Sequence, residues 1–381
     1  MTARTAPARV QPSDRSVERA ETALAAAARG GLPWEEFGLA AMEIIADVIP
    51  HDAICIATTD PATRLLTGTV KSGIDGSADD RFVRLEYRHA DVNHFRDLAR
   101  RPTGVGILAQ ETGGDPQRST RYRELLRPHY GLEHELRGVA RLNDVLWGTC
   151  ALYRDARSPA FSNEEASALD RFEEALALGV RNGLLASALA DRSESDDEPA
   201  VLLMDGDGQV VQATNATAHR MAELGGDLWT RVPTSIAAVT EAARALDRGA
   251  SDQAAYLRTR TRSGEWLTVK AATVHSPDQP DAGVAVTIER ADAGHTLPLL
   301  IDAYGLSTRE SEIVLAVTSG ASTREIAANL HIAAYTVQDH LKSIFGKVGV
   351  STRRELSALL NGKRPIVTQP IGSLSPNDRR R

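Results

Sequence analysis

Side chains with redox or metal chemistry are few in this 381-residue chain, which has two cysteines and ten histidines. Cys55 and Cys150 fall in two apolar runs, Ala53–Thr58 and Leu146–Tyr153, that read as strands. Brought together, with one thiol ionising at an accessible pH, they would make a redox centre. Kept apart, they are small buried hydrophobes. His89, His94, His129 and His134 form two pairs spaced by five, with Asp91 inside the first. Two ligands on one helical face need a spacing of four, so these histidines read as ordinary polar positions or as the edge of a ligand pocket. His219 and His275 stand singly as haem candidates, and the absence of cysteine between 200 and 290 excludes a flavin photoadduct there. The chain has no Walker A loop, zinc-protease motif or nucleophile elbow. No metal site is expected, and the cofactor is unknown.

A denser pattern of side chains runs from Ser307 to Leu360. Ser307 precedes Glu310, Ser322 precedes Glu325 and Thr352 precedes Glu355, each by three residues. A hydroxyl and a carboxylate at that spacing satisfy each other's orphan amides at a helix start, so three helices open here. The first buries Ile313, Val314 and Val317 and stops at Gly320, suited to a left-handed terminator. The second carries Ile326, Ala327 and Leu330. After a turn at His331–Ile332–Ala333, a third helix from about Tyr335 to Lys347 turns Val337, Leu341 and Ile344 inward. Gln338, Asp339 and Lys342 then share the opposite face, related by three- and four-residue steps. The last helix presents Leu356, Leu359 and Leu360. Two helices joined by so short a turn make a helix-turn-helix.

The run STRESEIVLAVTSGASTREIAANLHIAAYTVQDHLKSIFGKVGVSTRREL resembles the LuxR-type (GerE-like) DNA-binding domain. The matching features include Glu310, Gly320, Arg324–Glu325–Ile326–Ala327, Thr336–Val337, His340, Lys347, Gly349 and Glu355. The resemblance implies base readers at Gln338, Asp339 and Lys342, where an amide suits adenine, a carboxylate accepts from cytosine and a lysine suits guanine. It places phosphate contacts at Thr323, Thr336, Ser343, Lys347 and Arg353. Ala333 stands where the family usually has a capping serine, and Gln338, followed by Asp339, stands in place of the usual basic residue after Thr336–Val337, so the usual target sequence does not carry over. Asp339 has a second reading, pairing with Lys342 or Lys347 on the helix surface.

Charge distribution agrees with DNA contact confined to one end. From Ile301 onward eleven Lys or Arg oppose seven Asp or Glu, a balance of +4, leaving −11 for residues 1–300 of a chain that carries −7. No apolar run approaches the roughly 18 residues of a membrane span, and Ala23–Ala28 is too short for a signal-peptide core. A cytoplasmic protein with no membrane contact is expected.

Upstream, residues 1–30 read as a partly disordered tail with a helix from Val17 to Ala28. A helix from Trp34 to Val48, strands at Ala53–Thr58, Leu65–Val70, Leu132–Leu142 and Leu146–Tyr153, and a long helix Asn163–Ala190 entered through Ser162 and Glu165 follow. Residues 31–190 resemble a GAF-type sensory domain, carried by the Phe-Ser-Asn-Glu-Glu entry and by Gly114–Asp115, Arg118–Ser119, Glu135–Leu136–Arg137 and Trp147–Gly148. The resemblance makes the strands of Cys55 and Cys150 neighbours. An acidic linker spans 191–199. Residues 200–290 resemble a PAS domain, from Val201–Met204 and Asp205–Gly206–Asp207–Gly208 through the hairpin around Ser263–Gly264 to Gly283–Glu289. A helix-turn-helix domain at 292–362 and a disordered tail at 363–381 complete the chain. The expected fold is multidomain α+β: antiparallel-sheet GAF-like and PAS-like domains followed by a four-helix helix-turn-helix domain. The expected function is a one-component regulator, not an enzyme, whose sensory region takes a small molecule or partner and controls operator binding. It would act as a homodimer on double-stranded DNA carrying an inverted repeat. The alternative is a GAF-domain redox enzyme or sensor using Cys55 and Cys150.

Overall fold

The computed structural model describes residues 11–186, 198, 200–276, 279–291 and 293–360. Nearly all of the 191–199 linker, the 363–381 tail and the first ten residues of the 1–30 segment lie outside these. Helix α1, Asp14–Arg29, opens at a Ser13 cap and buries Val17, Ala20, Leu24 and Ala28. That stripe packs on a later helix, so residues 14–29 are part of the first folded unit.

Helix α2, Trp34–Ala46, leads into strands β1, Ala53–Thr59, and β2, Leu66–Ser72. A helical excursion follows: α3, Asp79–Arg88; α4, Phe95–Leu98; the short strand β3, Val105–Ile107; α5, Leu108–Glu111; and a π-helical segment, Tyr122–Tyr130. Strands β4, Leu132–Leu142, and β5, Val145–Asp155, form a hairpin. Its turn residues Asn143 and Asp144 both take positive φ, the backbone a two-residue hairpin turn demands. The expected long final helix is two, α6, Asn163–Arg171, and α7, Glu173–Ala186, separated by the single residue Phe172, which keeps a right-handed helical backbone and a fully buried ring. Residues 187–190 of that expected helix lie outside the described residues.

The sheet order is β2-β1-β5-β4-β3, with every pair antiparallel. One face packs on α2 and α7 through Phe37, Ile45, Ile54, Ile56, Trp147, Leu152 and Val180, and α1 lies outside these two helices. Gly179 permits the close approach, since a Cβ there would lie 2.0 Å from the Phe37 ring. The excursion roofs the other face. It is anchored by buried ion pairs, Arg121 to Glu135 at 2.6 Å and Arg137 to Glu86 at 2.8 Å, with the Arg137 guanidinium 3.6 Å above the Phe95 ring.

The second unit repeats the same strand order. Strands β6, Ala200–Met204, and β7, Val210–Ala213, precede α8, Thr217–Glu223, and α9, Thr234–Asp247. Strands β8, Tyr256–Arg260, β9, Trp266–Ser276, and β10, Gln279–Arg290, complete a sheet ordered β7-β6-β10-β9-β8. Every α9 residue from Thr234 to Ala245 is buried, because α9 lies between its own sheet and α3 and β2 of the first unit. Val83 and Leu65 of the first unit accordingly belong to the second unit's apolar core. Two ion pairs fix the seam. Asp60, fully buried, accepts from the Arg258 backbone N–H at 2.6 Å and from its guanidinium at 2.8 Å. Arg88 makes a two-point contact with Glu241 at 2.8 and 2.9 Å.

Helix α10, Ala293–Ala303, precedes α11, Thr308–Thr318, α12, Thr323–Asn329, α13, Ala334–Val348, and α14, Arg353–Leu360. Among the described residues the 292–362 segment therefore holds five helices where four were expected. The addition, α10, packs between α7 and α14. Both Ser307/Glu310 and Ser322/Glu325 are reciprocal capping boxes; at the third start Thr352 caps Glu355, whose carboxylate reaches the Ser351 amide. Ala333 contributes no side-chain cap to α13. No helix among the described residues is long and apolar enough to cross a membrane.

Glu310 joins α11 to α13. It is 3% exposed and accepts from Ser343 Oγ at 2.7 Å and Lys347 Nζ at 2.7 Å, besides the Ser307 amide. Burial alone would raise its pKa; the hydrogen bonds from Lys347, Ser307 and Ser343 outweigh that and hold it at about 2. A depressed carboxylate stabilises the fold above its unfolded pKa of about 4.5 and loses that contribution as pH falls toward 2. Glu310→Gln should therefore cost about 2 kcal/mol near neutrality and flatten the acid-induced loss between pH 4.5 and 2, measured by thermal melting of the full chain across pH. At the seam, Asp60→Ala strands a buried guanidinium and should cost about 3–5 kcal/mol. Hydrogen exchange should show β8 and the 60–65 loop opening first.

Candidate nucleic-acid interface and effector pocket

The α13 surface follows from one-sided burial. Val337, Leu341, Ile344 and Val348 are buried, while Gln338, Asp339 and Lys342 are exposed on the far side. Among the described residues none forms an ion pair or side-chain hydrogen bond with any of these three, so the surface pairing of Asp339 with Lys342 or Lys347 is absent. Tyr335 stands beside them, 73% exposed at the start of the helix. The face therefore offers an amide, a carboxylate, an ammonium and a phenol, all uncommitted.

The expected phosphate contacts divide. Thr323 and Thr336 sit half-buried in the first turns of α12 and α13. Ser343 donates to Glu310. Lys347 gives one N–H to Glu310 and another to the Gly305 carbonyl at 3.1 Å, leaving one donor of three. Arg353 bonds the Ala321 carbonyl. Three of the five thus hold the domain together, a role the spacing alone did not reveal.

A second feature lies in the first sheet unit. Between the sheet and the excursion is a pocket with a cavity volume of about 40 Å³. Its floor is made of small residues in register, with Cys55 opposite Lys71 and Ala151, and Ala57 opposite Thr69 and Thr149. Phe82, Val83, Phe95, Leu125, Leu126 and Tyr130 form the roof. Lys71 and Asp79 pair with each other at its edge. Thr149 and Tyr153 also line it, 2% and 3% exposed, and their hydroxyls bond to no described residue. Apart from Cys55 and Tyr153, the sequence reading singled out none of these residues. The signal was present as parity: Ala53, Cys55 and Ala57 alternate with Ile54 and Ile56, so one sheet face carries small residues and the other large ones.

The same parity corrects the expectation for the thiols. Their strands are neighbours, but Cys55 pairs with Ala151 and Cys150 with Ile56, so the two side chains project from opposite faces. Cys55 lines the pocket and Cys150 lies in the helix-side core. Burial pushes the Cys55 thiol up to about 11 and Cys150 higher still, opposite to what a reactive thiolate needs. His94 is buried, bonds the His89 carbonyl at 2.9 Å and lies 3.5 Å from Glu86, an anchor of the roof. No group of metal-binding side chains occurs among the described residues.

Comparison with known proteins bears on the interface. Residues 305–360 match the GerE family model, described as bacterial regulatory proteins, luxR family. The chain is 35% identical over 77 residues to the probable HTH-type transcriptional regulator GfsR of Streptomyces halstedii, 20% of this chain and 29% of that protein. It is 32% identical over 110 residues to the probable transcriptional regulatory protein SgaR of Hyphomicrobium methylovorum, 27% of this chain and 50% of the relative. The match therefore spans half or less of these two relatives' own lengths. Among solved structures, a Vibrio cholera VqmA–ligand–DNA complex aligns over 44% of this chain and 86% of its own at 18% identity, TM-score 0.23. A phage VqmA–DPO complex aligns over 45% and 86% at 16%, TM-score 0.20. Those scores are too low to equate the folds. Residues 305–360 form a LuxR-type helix-turn-helix domain of the kind found in bacterial transcription regulators.

Proposed function

We propose that this protein is a ligand-controlled transcription regulator that binds operator DNA through α13. One observation carries the reading: a LuxR-type domain presents Gln338, Asp339 and Lys342 exposed and uncommitted on a single helical face. Their donors and acceptors complement base edges in a major groove, while Thr323, Thr336 and the remaining Lys347 donor face phosphates. Residues 14–186 act as a GAF-like sensory unit and 200–290 as a PAS-like one, and the pocket on the first sheet takes the effector. Control requires that the effector bind the DNA-competent arrangement more tightly than the other. Two subunits bound together would read an inverted repeat with half-sites one helical turn apart. The redox alternative has no comparable support, with its thiols on opposite sheet faces.

Selection of duplexes from a random pool by the full chain tests the reading. Inverted repeats are expected; recovery of unrelated sequences would count against operator binding. Affinity for the selected site should fall linearly, on logarithmic axes, with rising salt as phosphate contacts release counterions; a flat response would remove the phosphate contacts. Asp339→Ala should relax preference at one or two base pairs, losing about 1–3 kcal/mol of discrimination with non-specific affinity unchanged or higher. An unaltered selection profile for that variant would sink the readout assignment.

A further inference from the structure

The pocket's charge and its walls narrow what it accepts. Lys71 and Asp79 are its only charged lining residues, and they neutralise each other. A ligand with net charge would sit in an apolar chamber with no counter-charge, at a large desolvation cost. Roof and floor otherwise offer aromatic, aliphatic and small side chains. The hydrogen-bonding capacity that remains lies on hydroxyls, those of Thr149 and Tyr153 inside and of Thr69 and Thr234 at the edge.

Thr234 belongs to the second sheet unit, at the first position of α9. Thr69, Asp79 and Thr234 also line a cleft of about 240 Å³ between the two units, so these three stand at the neck between cleft and chamber. Helix α9 reaches that neck while its remaining length is clamped between α3 and its own sheet, and α3 contributes Phe82 and Val83 to the chamber roof. A molecule in the chamber thus touches both faces of the seam.

We propose that this site binds a neutral, mostly apolar small molecule carrying a hydrogen-bonding polar group, and that both sheet units hold it, the second through Thr234. The proposal rests on the regulator reading for its purpose but not for its chemistry. Anionic metabolites such as nucleotides and phosphorylated compounds are excluded, and removing the second unit's contact weakens binding even though the chamber floor belongs to the first.

Titration calorimetry of the full chain at pH 7 with 2-naphthol, 2-naphthoate and 2-naphthylmethylammonium tests the class, since the three share one ring system and differ in charge. Binding of 2-naphthol should be at least about tenfold tighter than that of either ion. A tighter ion, or no binding by any of the three, overturns the neutral class. Ala151→Leu should abolish 2-naphthol binding by filling the floor; should it fail to fold, Ala57→Val adds less volume to the same floor and should weaken binding. Unchanged affinity in the folded variant overturns the site. Thr234→Ala should weaken 2-naphthol several-fold, and an unchanged value removes the second unit from the site. Operator binding measured on the same samples separates the two ideas. A chain that binds DNA but fails the naphthol order loses the ligand class; one that shows the order but selects no operator loses the regulator reading.

Discussion

Charge removed from water is costly unless opposite charge meets it, and this chain meets it at several junctions between elements distant in sequence. Arg154 and Glu165, at 2.5 Å, tie β5 to the cap of α6. Arg121 with Glu135 and Arg137 with Glu86 pin the excursion to β4. Asp60 with Arg258 closes the seam between the sheet units, and Glu310 with Lys347 fixes α11 against α13. Such pairs add little net stability over apolar substitutes, but breaking one leaves an uncompensated charge and is costly. They therefore act as registration points. The sheets and helices supply most of the apolar burial, and the pairs determine which face meets which.

How legible this was depended on whether the signal was local. Capping boxes at Ser162, Ser307 and Ser322 are local chemistry, and all three form. The Asn143–Asp144 turn is local too, and both residues adopt the left-handed backbone it implies. Helix α9 was invisible for the opposite reason. Its sequence TSIAAVTEAARALD carries polar residues at Thr240, Glu241 and Arg244 that read as a solvated face, yet a second partner covers them too. The short strand β3, three residues long, carries too little alternation to register.

The pocket on the first sheet was legible only in pairs of strands. A run of Ala, Cys and Ala at alternate positions describes a weak sheet face, and a second such run on the paired strand converts it into a chamber floor. Register decides this, and register depends on pairings nearly a hundred residues apart. The resemblance to a GAF-type domain placed Cys55 and Cys150 on neighbouring strands correctly, yet said nothing of parity. One residue of offset separates a redox pair from two thiols divided by a sheet. On the DNA side, the LuxR-type resemblance marked Ser343 and Lys347 as contacts, while the structure shows both bound to Glu310, a carboxylate whose burial could not be read from its position in a capping box.

These features meet at α10. It packs against α7 of the first sheet unit and α14 of the DNA-binding domain. Asp302 on this helix feels the charges of both Arg258 and Asp60, and burial, the first of its influences, raises its pKa. The seam that the effector would touch through Thr234 is thus electrostatically continuous with the helix leading to α11. A ligand that alters how α9 lies on α3 changes the position of β8, and with it the arginine beside Asp302. On the proposed reading, coupling between chamber and operator needs no long relay. It runs from α9 to β8, from the Asp60–Arg258 pair to α10, and from α10 to the helices that present Gln338, Asp339 and Lys342. Each step is a packed or charge-coupled contact, and a ligand could act through it only if it holds two arrangements that both sites bias.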